Sequence, residues 1–66
     1  DIVLPNKKMA FEIKYTDNVT KKDLENIMHI SDDFTLFLVT KDTYDTIDMQ
    51  GKTIHLIPLW LLTLAV

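Results

Sequence analysis

The chain has no cysteine and no arginine, a single glycine (Gly51), a single tryptophan (Trp60) and two prolines in 66 residues. Without cysteine there is neither a disulfide nor a thiolate-ligated metal. A domain of this length buries only about 60% of the surface its unfolded chain exposes. Its stability must therefore come from one packed core, unaided by covalent staples. The two histidines, His29 and His55, cannot build a zinc site without carboxylate help. Ten acidic residues outnumber seven lysines, for a net charge of −3. That balance argues against nucleic acid, where a basic stripe supplies most of the affinity. The lack of cysteine fits a reducing compartment, so a cytoplasmic location is expected. The opening residues, DIVLPNKK, start acidic and carry no apolar run of the length a secretory signal needs.

What is present is a sequence of short, well-punctuated patterns. Ile2-Val3-Leu4 is a brief apolar run stopped by Pro5-Asn6, as suits a strand end or an edge. Residues 9–15 alternate, with Met9, Phe11, Ile13 and Tyr15 on one side and Ala10, Glu12 and Lys14 on the other, which predicts a half-buried strand. After the turn signal Asp17-Asn18 the period changes. Leu24, Ile27 and Met28 fall on one face of a helix. Thr20 is placed to cap it, Asp23 to complete a capping box, and Val19 with Leu24 to form a hydrophobic staple. His29 lies in the last turn. Ser31-Asp32-Asp33 connects to a strand over 34–39, and residues 41–52 read as a polar excursion anchored by Ile47 and closed by a turn at Gly51. Thr53-Ile54-His55-Leu56-Ile57 is the last strand. The expected architecture is one α+β domain over residues 1–66: a mixed sheet of about four strands with one helix packed across it, the β-grasp arrangement.

The residues that carry this pattern also resemble a family. Thr53-Ile54-His55-Leu56-Ile57 resembles the final strand of ubiquitin. The run VTKKDLENIMHISDDFTLFLV, followed by DTID and GKTIHL, is similar to bacterial multi-ubiquitin domains. The resemblance covers about residues 9–57. It implies a ubiquitin-like β-grasp domain that acts by binding protein. Two departures matter. There is no C-terminal diglycine, so the chain as written is not competent for conjugation, and the polar tail of ubiquitin is replaced by PLWLLTLAV. The recognition patch of ubiquitin maps onto Phe37, His55 and Ile57. Alternation gives the same residues independently: if Leu36, Leu38, Ile54 and Leu56 point to the core, these three point away.

The remaining chemistry-bearing residues take bland readings. His55 is a pH-sensitive element if it sits in a contact patch, but a lone strand histidine is ordinarily just solvated. Asp42, Asp45 and Asp48 lack the alternation and glycine turn of a calcium loop and read as a solvated acidic segment. Asp32-Asp33 reads as part of a connection rather than an acid/base pair, Lys21-Lys22 as a solvated helix face, and Met9, Met28 and Met49 as core filler. No catalytic, metal or cofactor site is expected, and the protein is not read as an enzyme.

The closing segment is distinctive because Lys52 is the last charged residue. Residues 53–66 are too few to span a membrane, which takes about 20 apolar residues. Pro58 should end the ladder, leaving residues 58–66 as an apolar tail or edge strand. Leu59 and Trp60 join Phe37, His55 and Ile57 as predicted contact residues. The partner is another protein or a second copy, giving a homo-oligomer. The alternative is a subunit of a larger assembly whose apolar end mediates oligomerisation or docking near a membrane.

Overall fold

A computed structural model describes residues 2–30 and 32–65. Ser31 and Val66, placed above in a connection and in the tail, lie outside the described residues. The strands are β1 (Ile2–Leu4), β2 (Met9–Ile13), β3 (Thr35–Thr40), β4 (Asp45–Met49) and β5 (Lys52–Pro58). Helix α1 (Lys21–Met28) joins β2 to β3, α2 (Leu59–Ala65) follows β5, and a 3-10 turn over Pro5–Lys7 separates β1 from β2.

The sheet has five strands in the order β1-β2-β3-β5-β4. The three central strands β2, β3 and β5 are parallel, and the edge strands β1 and β4 run antiparallel to their neighbours. Adjacent parallel strands need a long crossover, and α1 supplies it between β2 and β3. The α+β class with a mixed sheet is as expected. The strand count is five rather than about four, and there are two helices rather than one. The extra strand is β4, in the segment read as a polar excursion. Ile47 and Met49 share one of its faces and pack partly buried against the core, while the exposed Asp45 and Asp48 are tolerated because β4 is an edge.

The core lies between α1 and one sheet face. Leu24 and Ile27 of α1 pack with Ala10, Leu36, Leu38, Ile54 and Leu56, and Val19, Met28 and Ile30 close its rim. The helix begins as its sequence dictates. The Asp23 amide donates to Thr20 Oγ1 at 3.2 Å and the Thr20 amide donates to Asp23 Oδ2 at 3.0 Å, a complete capping box. Its C-terminal end is held from the sheet. The Lys52 ammonium donates to the carbonyls of Met28 and Ile30, both at 2.6 Å, and pairs with Asp32 at 3.0 Å. The β2–α1 and β3–β4 loops are tied together by Asp17, whose Oδ1 accepts from the Asp42 amide (2.8 Å), the Thr43 amide (2.7 Å) and Thr43 Oγ1 (2.7 Å).

Two elements depart from the sequence reading. In β2 the residue under α1 is the fully buried Ala10, and Phe11 lies on the opposite sheet face. Ala10 is small and lets the helix approach closely, so the larger side chains of β2 fall on the other side. The segment after Pro58 is a short helix and not an edge strand. Leucine and alanine are strong helix formers, and proline immediately before the helix's first residue ends the ladder without disturbing the helix. Among the described residues no helix is long and apolar enough to cross a membrane.

Candidate functional site

The sheet has a second face, and the register defines it row by row. Ile2 pairs with Phe11, Phe11 with Phe37, Phe37 with His55, and His55 with Thr46. Cross-strand partners share a face, so these side chains form one row on the side away from α1. The Phe11 and Phe37 rings stack with centroids 4.8 Å apart and planes 15° apart. Phe37 and the His55 imidazole follow at 5.4 Å and 32°. The next row, Ile13-Val39-Ile57, runs toward the start of α2.

This face is covered at one end and open at the other. Val39 is fully buried and Phe11 nearly so, whereas Phe37, His55 and Ile57 are half-buried. On the β1 side Ile2 and Leu4 are exposed. Phe37, His55 and Ile57 therefore lie where alternation placed them: together, and off the helix-covered core. Leu59 and Trp60 are carried on α2, Leu59 half-buried and Trp60 54% exposed. Among the described residues Trp60 joins no ring stack. Phe11 is the residue that sequence reasoning missed. The parallel register of β2 on β3 brings it against Phe37, and no local pattern announces that register.

A cleft of about 410 Å³ opens beside this row, between the starts of β3 and β5 and the β4–β5 turn. Asp32, Thr35, Gln50, Lys52, Thr53 and His55 supply its polar lining. Its cation is already engaged, since Lys52 Nζ serves two carbonyls and Asp32. Thr53 donates its hydroxyl to Asp48 at 2.7 Å. Lys52, Asp32 and Thr53 in the cleft are thus already engaged in contacts within the fold. Asp42, Asp45 and Asp48 do not converge on a cation position. The Asp42 amide binds Asp17, the Asp45 carboxylate accepts from the Thr46 amide, and Asp48 accepts from Thr53. Among the described residues no cluster of three or more His, Cys, Asp or Glu could hold a metal.

Two carboxyls titrate below the ordinary range. Asp17 is lowered chiefly by the hydrogen bond from the Asp42 amide, then by the Thr43 hydroxyl, with Lys41 adding a smaller attraction. Asp23 is lowered chiefly by the Thr20 amide, with Lys14 contributing at 3.5 Å. Both shifts come from structural hydrogen bonds and lie away from the Phe37–His55 row. Comparison with protein families, curated proteins and solved structures returns no match.

Proposed function

We infer that this chain is a small protein-interaction domain that works by contact and not by catalysis. The observation that carries the reading is the ring row Phe11–Phe37–His55, stacked on the sheet face that α1 leaves free. Aromatic side chains present large, stiff contact area and dominate the energetics of interfaces. Half-burial leaves Phe37, His55 and Ile57 supported from below and open above, the condition a contact residue needs. Leu59 and Trp60 extend the contact surface onto α2.

The finer reading is a ubiquitin-like domain. The strand Thr53–Ile57 supports it, because its His55 and Ile57 lie beside Phe37 of the neighbouring strand. The strand order weighs against it. A β-grasp sets its first and last strands side by side at the centre, whereas here β1 is an edge and β5 lies between β3 and β4. The binding reading therefore stands on the face itself. The 66 residues hold one glycine and so no Gly-Gly pair. Incubation with a ubiquitin-type activating enzyme and ATP is expected to give neither adenylate nor thioester.

The test is capture of binding proteins on the immobilised chain. A double variant, Phe37→Ser with Trp60→Ser, is expected to lose them while keeping the far-UV dichroism of the parent. A folded double variant that captures the same proteins would contradict the assignment.

A further inference from the structure

We propose that the cleft at the starts of β3 and β5 is a binding site for a small carboxylic acid, whose carboxylate takes the place that Asp32 holds against Lys52 in the free protein. The proposal is independent of the contact reading above. Of the residues assigned to the contact surface, only His55 also lines this cleft.

An ammonium has three N–H donors. Lys52 gives two of them to the carbonyls of Met28 and Ile30, both at 2.6 Å, which leaves the third for the Asp32 carboxylate 3.0 Å away. Both residues of this ion pair line the cleft, and they are held unequally. The Lys52 side chain is 21% exposed and is fixed by two backbone groups. The Asp32 side chain is 88% exposed and, among the described residues, pairs with Lys52 alone. An ion pair open to solvent on one side is worth little. The cation is therefore built into the fold and the anion is replaceable, so the site selects for negative charge.

The rest of the lining suits a carboxylate on an apolar body. Thr35, Gln50 and His55 each offer a donor, and among the described residues none of their side chains makes a hydrogen bond. Phe34, half-buried, adds apolar surface. The volume of about 410 Å³ is that of a small-molecule site. Charge then sets the class of ligand. The cleft holds one cation, Lys52, in a chain of net charge −3. A single carboxylate matches that cation, as Asp32 does. A phosphate dianion brings a second negative charge with no cation to meet it, and a cationic ligand meets the fixed Lys52 and is repelled.

Benzoate is the probe, with benzamide as its uncharged counterpart and inorganic phosphate as the dianion, each titrated by amide NMR at constant ionic strength. For so small a ligand the expected dissociation constant is on the order of 10 mM. Benzoate is expected to give saturating shifts at Thr35 and Thr53 and none at Phe11 or Trp60, with benzamide and phosphate binding more weakly. Asp32→Asn removes the internal competitor and tightens benzoate about two- to fivefold, the worth of an exposed ion pair. Glu25→Gln makes the same change of net charge on the exposed side of α1 and leaves the affinity as it was. Thr35→Val removes a donor and weakens binding about two- to tenfold. All three variants keep the far-UV dichroism of the parent. Benzamide or phosphate binding as tightly as benzoate would overturn the proposal, as would shifts centred on Phe11 and Trp60. So would an Asp32→Asn variant that binds benzoate no more tightly than Glu25→Gln does. None of these results bears on the face around Phe37, whose own test is the loss of captured protein.

Discussion

Lys52 serves three acceptors at once, and that makes it the most consequential charged residue of the fold. Its ammonium satisfies the carbonyls of Met28 and Ile30, ties the α1 C-terminus to β5, and holds Asp32. The side chain is 21% exposed, so solvent screens it only in part. Lys52→Met keeps the stem and removes the donor; it is expected to cost about 1–3 kcal/mol, read as a lower denaturant midpoint at unchanged slope. Asp17 acts similarly between two loops. Its carboxyl titrates lower folded than unfolded, so in the acid range the unfolded chain binds more protons. The stabilisation is present above the unfolded value and is lost as pH falls through the folded one. Asp17→Asn should therefore be less stable than the parent at neutral pH, with the gap closing below about pH 4. A gap that stays constant down to pH 2 would show that the charge does not matter.

At the scale of elements, α1 is the part whose sequence and structure agree most closely, and the reason is local. A capping box and a staple are specified by residues three to five apart, so Val19, Thr20, Asp23 and Leu24 carry their own instructions. Thr20→Ala should cost about 1 kcal/mol, and Ile27→Ala, from the fully buried side, about 2–5 kcal/mol, both by chemical denaturation. The β4–β5 hairpin is equally local. Gln50 and Gly51 have φ of 52° and 79° between the paired Met49 and Lys52, the two-residue turn that favours Asn-Gly. Gln50→Asn is expected to raise stability by a few tenths to about 1 kcal/mol. Elsewhere the element type was harder to read. Asp45 and Asp48 disguised β4, because charges suit an edge strand as well as a loop. The apolar run after Pro58 carries no periodicity that separates a strand from a short helix.

At the scale of the whole molecule, strand order and pairing between distant segments decide what the chain presents. Alternation alone placed Phe37, His55 and Ile57 opposite Leu36, Leu38, Ile54 and Leu56, since each strand reports its own two sides. It could not report that β2 lies beside β3 in parallel, or that Ala10 rather than Phe11 sits under the helix. Those facts depend on pairing between residues about 26 apart, such as Phe11 with Phe37. The resulting sheet is closed on one face by α1 and left partly open on the other, and the open one is the proposed binding face. The measurement that tests this most directly is capture of partner proteins by two single variants on opposite sides. Phe37→Ser alters the open face, and Glu25→Lys alters the exposed side of α1. Phe37→Ser is expected to lose its partners and Glu25→Lys to keep them. Loss by Glu25→Lys with retention by a folded Phe37→Ser would put the binding surface on the helix and contradict it.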